Sequence, residues 1–145
     1  MAEQSQHYEA TVEWTADRRG QLSTPNRPPI RIGAPPEFGG PDDAWSPEQL
    51  CVGAVNACVM ATFVAIAANS KLVFRQYSAT ATGTLEKVEG RGPVITRVMV
   101  RPRVTVGPDV DRGRVERILK MAEKNCYISN SLHAEVALEA EIVVE

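Results

Sequence analysis

The sequence is poor in the residues that build metal sites and disulfide scaffolds. Its 145 residues include three cysteines and two histidines, and no Cys-x-x-Cys pair occurs. An odd cysteine count leaves at least one thiol unpaired within the chain, which argues against a dense disulfide framework. Structural zinc needs four Cys or His ligands at short spacings, so we expect no metal site. We also expect no bound cofactor. The cysteines are expected to serve packing or chemistry in a reducing compartment.

The sequence also lacks an excess of charge of either sign. Sixteen Lys and Arg residues are balanced by eighteen Asp and Glu residues, so the chain has no excess of positive charge that would indicate nucleic-acid binding. The first seven residues lack the basic and apolar regions of a secretory signal, so a cytoplasmic protein is predicted. Hydrophobic residues make up 43% of the chain, as in soluble globular proteins. Its length predicts one domain over 1–145.

Alternation of apolar and polar residues predicts most of the strands. Such alternation covers 8–14, 72–87, 94–106 and 134–144. Residues 17–20 are typical of a turn, and a second short strand is expected after them. The proline-rich stretch from Pro25 to Trp45 is predicted to be an ordered surface loop. Because the strands occur in runs, the pattern predicts an α+β fold with a mainly antiparallel sheet.

Arginines alternate with valines in the predicted strand 94–106. One face of this strand carries Arg97, Arg101 and Arg103. Three arginines on one face of a strand could indicate a polyanion site, but the slightly acidic chain favours a solvated sheet face.

Two helices are predicted, and the first is unusually apolar. Ser46-Pro47-Glu48-Gln49 is a capping box, and no charge follows from Leu50 to Ala68. This run reaches the lower limit of a membrane span, but the charged strands on both flanks favour burial within a protein. Residues 109–125 form a second, amphipathic helix. One sheet and one helix can hardly cover an apolar helix about 30 Å long, so we predict a homodimer with these helices close together.

The cysteines occupy two segments. Cys51 and Cys58 are seven residues apart on the apolar helix, roughly 10 Å, which is too far for a disulfide. Cys126 follows the second helix. Each cysteine could be a small core residue. A reactive thiol would need a neighbouring cation, such as a loop arginine, because apolar burial raises its pKa.

Three motifs in the same order closely resemble the OsmC/Ohr family, which comprises osmotically inducible protein C and the organic hydroperoxide resistance proteins. They are Ser46-Pro47-Glu48-Gln49-Leu50, Ala57-Cys58 and Asn125-Cys126-x-x-Ser129-Asn130-Ser131-Leu132. The resemblance covers nearly the whole chain. The segment Ala34-Pro35-Pro36-Glu37-Phe38-Gly39-Gly40 is similar to a less characterised OsmC-like branch.

The resemblance implies a cysteine-based peroxidase with an antioxidant role in the oxidative stress response. Its substrates would be organic hydroperoxides, with hydrogen peroxide as a further candidate. Cys58 matches the peroxidatic cysteine, which becomes a sulfenic acid, and Cys126 matches the resolving cysteine, whose disulfide an external dithiol reduces. Glu48 matches the glutamate that fixes an arginine beside the thiolate. Arg18 best matches that arginine, and Arg19 and Arg31 are the alternative candidates.

The resemblance also implies an intertwined homodimer with shared active sites. Glu48 and Cys58 lie about 15 Å apart along one straight helix, so a common arginine would join them across two subunits. Tyr127 stands where many members have proline, and the resolving loop is expected to differ there. Cys51 is interpreted as packing and His133 as a surface residue. The alternatives are a small-molecule or lipid-binding module without turnover, and a membrane anchor.

Overall fold

The structure, a computed structural model, describes residues 4–145. These residues form two compact units, one ending at Leu50 and one running from Cys51 to Glu145. The single domain predicted over 1–145 stays a prediction. Residues 1–3 lie outside the described residues. They belong to the N-terminal segment in which no secretory signal is predicted.

The first unit contains an antiparallel sheet of three strands in chain order. They are β1 (Thr11–Ala16), β2 (Arg19–Ser23) and β3 (Ile30–Gly33). The turn predicted over 17–20 is shorter than expected, because β2 begins at Arg19; the turn consists of Asp17, at a φ of 51°, and Arg18. The surface-loop prediction is wrong for 30–33, because Ile32 of β3 pairs with Gly20 of β2. A run of four residues with two isoleucines is too short for its alternation to be recognised.

The first helix, α1 (Pro47–Asn69), begins at the predicted capping box and crosses the boundary between the units. The Ser46 N–H donates to Gln49 Oε1 at 3.0 Å, and the Gln49 N–H donates to Ser46 Oγ at 3.1 Å. These reciprocal bonds satisfy two amide hydrogens that a helix start leaves free.

One face of α1 is buried within the chain. Every fourth residue along that face belongs to the core: Val55, Val59, Phe63 and Ala67. The opposite face is exposed and carries small and apolar side chains: Ala54, Ala57, Ala61, Val64 and Ala68. A single chain therefore leaves one face of α1 exposed. The sequence predicts that this face is covered in a homodimer. By length and composition alone, α1 could also cross a membrane.

The second unit contains a long antiparallel hairpin of β4 (Gln76–Val88) and β5 (Gly92–Val106). The predicted inward face of β5 is confirmed, since Val98, Val100, Val104 and Val106 are fully buried. They pack against the buried face of α1 and against α2 (Arg112–Lys124). The apolar stripe predicted for α2 is likewise buried: Val115, Ile118, Leu119 and Ala122. A short helix, α3 (Tyr127–Asn130), follows α2.

The last predicted strand forms two short strands, and both run parallel to β5. They are β6 (Glu135–Leu138) and β7 (Glu141–Val144). One register runs through both, since Val98 faces Val136 and Val104 faces Ile142. The break falls opposite Pro102, which has no amide hydrogen to donate to the ladder. This parallel pairing departs from the mainly antiparallel sheet that the sequence predicted, although the pairs β1–β2, β2–β3 and β4–β5 are antiparallel as expected.

The outer face of β5 is solvated, as predicted. Its three arginines lie opposite three glutamates of the last strands, as the pairs Arg97–Glu135 (3.7 Å), Arg101–Glu139 (3.5 Å) and Arg103–Glu141 (3.1 Å). All six side chains are about half exposed or more, so each pair adds little stability. The arginines are thus neutralised within the sheet.

Candidate active site

Cys58 lies in the middle of α1, at the edge of the buried face. Its neighbours Val55 and Val59 are fully buried against β5, whereas the Cys58 side chain itself is half-buried. A rigid helix packed on a sheet therefore holds the thiol, and part of its surface stays open to solvent.

Cys126 lies in the chain between α2 and α3. The Asn125 N–H and side-chain amide both donate to the Met121 carbonyl, at 3.0 and 2.8 Å, and end α2 there. The Asn130 N–H then donates to the Cys126 carbonyl at 3.0 Å and closes the turn of α3. Two helix ends thus hold the Cys126 side chain in the core, where it is fully buried.

The two sequence-predicted cysteines meet. The Cys58 and Cys126 thiols lie close enough for each to shift the pKa of the other, and both are free thiols. They are 68 positions apart in the chain, and the packing of α1 against β5 and the start of α3 brings them together. Cys51 is also a free, half-buried thiol.

The pKa of the Cys58 thiol lies below its ordinary value. Burial raises the pKa, but hydrogen bonds to the sulfur outweigh burial; they come from the Ile128 N–H, the Cys126 thiol, the Thr62 hydroxyl and the Tyr127 N–H. Hydrogen bonds to the charged form favour the thiolate. The sequence predicts a cation for this purpose, whereas within the unit Cys51–Glu145 neutral donors lower the pKa of the thiol.

The pKa of the Cys126 thiol is raised instead. Burial is the main cause, and the Cys58 thiol adds to it, while the Ser129 backbone N–H opposes both. The pair is therefore polarised, because Cys58 loses its proton first and Cys126 keeps its own. Such a division suits a nucleophile beside a second thiol that reacts later.

Sequence reasoning missed four of the groups around the thiol pair. They are the Thr62 and Ser129 side chains and the backbone amides of Tyr127 and Ile128. Thr62 stands four residues after Cys58, the spacing that places two side chains on one helix face. Ser129 stands in the quoted Cys-x-x-Ser segment. The two amides carry no side-chain signal and depend on how the chain turns after Cys126.

Arg18 lies on the turn between β1 and β2, at a pocket of about 290 Å³. Its Nη1 donates to the Phe38 carbonyl at 3.1 Å. The guanidinium lies over Gly39, where an added Cβ would come within 3.5 Å of Arg18 Nε. Among residues 4–145, Arg18 takes part in no ion pair.

Arg19 and Arg31 are both directed at Asp43. Their Nη1 atoms lie 2.8 and 3.9 Å from its carboxylate. The hydrogen bond from Arg19 is the main reason that the pKa of Asp43 lies below its ordinary value. The charges of these two arginines are therefore partly compensated by a carboxylate, unlike that of Arg18.

Glu48 lies in the first turn of α1. Its Oε1 atom is buried and has no hydrogen-bond partner within the described part of the chain. Burying a carboxylate oxygen without a hydrogen bond costs free energy, so we expect a hydrogen-bond donor to Glu48 Oε1. Arg18 and Glu48 belong to the unit that ends at Leu50, whereas the cysteine pair belongs to the other, and their part in one site stays a prediction.

Neither metal binding nor a role for His133 gains support. Residues 4–145 contain no group of three or more His, Cys, Asp or Glu side chains that could hold a metal ion. His133 is exposed between α3 and β6.

Comparison with known proteins shows relatives along nearly the whole chain. A family model described as OsmC-like protein matches residues 40–141. The uncharacterised protein YmaD of Bacillus subtilis is 25% identical over 146 residues, covering 96% of this chain and 95% of that protein. The peroxiredoxin OsmC of Escherichia coli is 26% identical over 143 residues, covering 94% and 96%.

Solved structures show the same fold. An OsmC-like protein of unknown function from Vibrio cholerae superposes with a TM-score of 0.87 at 24% identity, covering 94% of this chain and 99% of that chain. An organic hydroperoxide resistance protein from Elizabethkingia anophelis superposes with a TM-score of 0.77 at 19% identity, covering 99% and 100%. At these identities the similarity shows the fold rather than the activity.

Proposed function

Because this chain belongs to the OsmC/Ohr family, we propose that it is a thiol-dependent peroxidase that reduces organic hydroperoxides. The observation that carries the proposal is the proximity of two free thiols whose pKa values are shifted in opposite directions. A low-pKa thiol that is partly open to solvent can attack a peroxide, and a protonated thiol beside it can resolve the product.

The proposed cycle has two oxidative steps. The Cys58 thiolate attacks the outer peroxide oxygen, so an S–O bond forms, the O–O bond breaks, and the alkoxide leaves as alcohol after taking a proton. Cys58 is oxidised to a sulfenic acid while the peroxide is reduced. The Cys126 sulfur then attacks the Cys58 sulfur and gives up its thiol proton. An S–S bond forms and water leaves.

An external dithiol completes the cycle by thiol–disulfide exchange. It is oxidised to its own disulfide while both cysteines return to thiols. This chemistry needs no bound metal or organic cofactor. It also fits a reducing cytoplasm, where we place the protein.

Arg18 is our choice among the three candidate arginines. Asp43 compensates Arg19 and Arg31, whereas within residues 4–145 the Arg18 guanidinium bonds to a neutral carbonyl and to no carboxylate. A free guanidinium can stabilise both a thiolate and the alkoxide that develops as the O–O bond breaks. We assign Glu48 to holding this arginine, because its buried Oε1 lacks a donor.

A homodimer would complete the site. The exposed face of α1 is lined by small residues, which allow two helices to approach closely. Glu48 and Cys58 are ten residues apart on one helix, about 15 Å, so one arginine would reach Glu48 of one subunit and Cys58 of its partner. A second copy would also cover the apolar surface that a single chain leaves exposed.

Titration with cumene hydroperoxide tests the proposed function directly. One equivalent is expected to lower the number of free thiols per chain from the three present to one, because Cys58 and Cys126 form a disulfide. Tryptic cleavage would then yield residues 32–71 joined to 125–145. Fragmentation of this product should assign Cys58 and leave Cys51 as the free thiol. Three thiols that survive excess peroxide would contradict the proposal and favour a binding module without turnover.

The arginine assignment makes a separate prediction. Arg18→Met is expected to lower kcat/KM for cumene hydroperoxide by about 100-fold, the effect of removing one charge-stabilising group. Arg19→Met is the matched control, because that side chain is paired with Asp43, and its kcat/KM should stay near the parent value. Equal losses in the two variants, or a loss confined to Arg19→Met, would contradict the assignment.

A further inference from the structure

Thr62 lies one helical turn after Cys58, on the same face of α1. Its Oγ1 donates to the Cys58 carbonyl at 2.8 Å. The four-residue spacing also places this hydroxyl beside the Cys58 side chain, where it helps to lower the pKa of the thiol. A hydroxyl has one hydrogen, so it can donate to the carbonyl or to the sulfur, but not to both at once.

The Cys58 carbonyl does not depend on this hydroxyl. Within a continuous helix it already accepts the backbone N–H of Thr62, four residues on. The hydrogen bond from the Thr62 hydroxyl is a second bond to the same carbonyl oxygen, so its loss costs little free energy. The sulfur gains more from a donor once it is a thiolate, because hydrogen bonds to charged groups are about twice as strong as neutral ones.

Thr62 also differs in polarity from most residues of α1. It is the only hydroxyl residue in Pro47–Asn69, a helix otherwise rich in alanine and valine. A β-branched side chain is a weaker helix former than alanine, so helix formation alone does not explain it.

We propose that Thr62 is a positioning residue, whose hydroxyl turns from the Cys58 carbonyl to the Cys58 sulfur when the thiolate forms. The bond would stabilise the sulfur as a thiolate and fix its direction towards Cys126. The benefit to peroxide turnover rests on the function proposed above, whereas the hydrogen bond itself does not.

A purely structural role makes a different prediction. Serine and threonine hydroxyls in apolar helices often donate to the carbonyl four residues before them, which satisfies a buried polar group. If that were the only role of Thr62, its removal would leave the reactivity of Cys58 unchanged at every pH.

The test measures alkylation of Cys58 by iodoacetamide as a function of pH. Cys51→Ser provides the background, because tryptic residues 32–71 then contain Cys58 as their one thiol. Thr62→Val keeps the shape of the side chain and removes the hydroxyl. We expect the inflection of the rate–pH curve to move up by about one pH unit, the effect of one hydrogen bond to a charged group. Thr62→Ser keeps the hydroxyl and should restore the inflection.

An inflection that Thr62→Val leaves in place would overturn the proposal. Far-UV circular dichroism checks the fold, and Thr62→Ala replaces the valine variant, with the same expectation, if the latter does not fold. kcat/KM for cumene hydroperoxide is measured in parallel and should fall with Thr62→Val and recover with Thr62→Ser. A moved inflection in a protein that consumes no peroxide would refute the proposed function but keep the Thr62 assignment.

Discussion

Replacing Cys58 with serine is expected to abolish the reduction of organic hydroperoxides. We expect kcat/KM with a dithiol reductant to fall by about 1000-fold or more, as when other enzymes lose their nucleophile. A serine hydroxyl does not ionise near neutral pH, and its oxygen cannot take up the peroxide oxygen as a sulfenic acid does. Peroxide consumption followed by a colorimetric assay measures the loss.

Cys51→Ser is the matched control for this experiment. Cys51 lies on the same helix about two turns before Cys58 and is also a half-buried free thiol. The same exchange at Cys51 should leave kcat/KM near that of the parent. If Cys58→Ser consumed peroxide as fast as the parent, the proposed mechanism would be wrong.

Replacing Ala61 with arginine is expected to convert a dimer into a monomer. Ala61 lies on the exposed face of α1, so the larger side chain meets no core residue of its own chain. Across a close helix–helix contact, however, it would bring a charge and about six further heavy atoms into a space suited to a methyl group. Light scattering should show the molar mass halved, and peroxide turnover should be lost with the shared site.

Met121→Arg is the control for the dimer prediction. Met121 is an exposed apolar residue on α2, and the substitution adds the same charge at a position outside the proposed interface. This variant should keep the molar mass and the activity of the parent. A parent that is already monomeric, or a dimer that survives Ala61→Arg, would contradict the homodimer.

The features that could be predicted from the sequence are local or periodic. The capping box needs only Ser46 and Gln49, and it starts α1 where expected. The buried face of β5 follows from alternation, and the buried stripe of α2 follows from helical periodicity. The motif resemblance selected Cys58 and Cys126, and the structure places these two thiols close together.

The features that the sequence missed depend on contacts between distant segments. β3 is defined by its pairing with β2 rather than by its own four residues. The direction of β6 and β7 relative to β5 is set by the path through α2, and the alternating pattern is the same for parallel and antiparallel pairing. The donors around Cys58 include backbone amides of α3, which any amino acid other than proline would provide.

The unequal burial of the two thiols also determines how the proposed disulfide would be reopened. The Cys126 side chain is fully buried and Cys58 is half-buried, so an incoming dithiol meets the Cys58 sulfur first. Attack there makes Cys126 the leaving group, and its raised pKa makes it a poor one. An arrangement that favours oxidation therefore slows reduction. In the proposed cycle we therefore expect the reductive half to be rate-limiting and the overall rate to depend on the reductant.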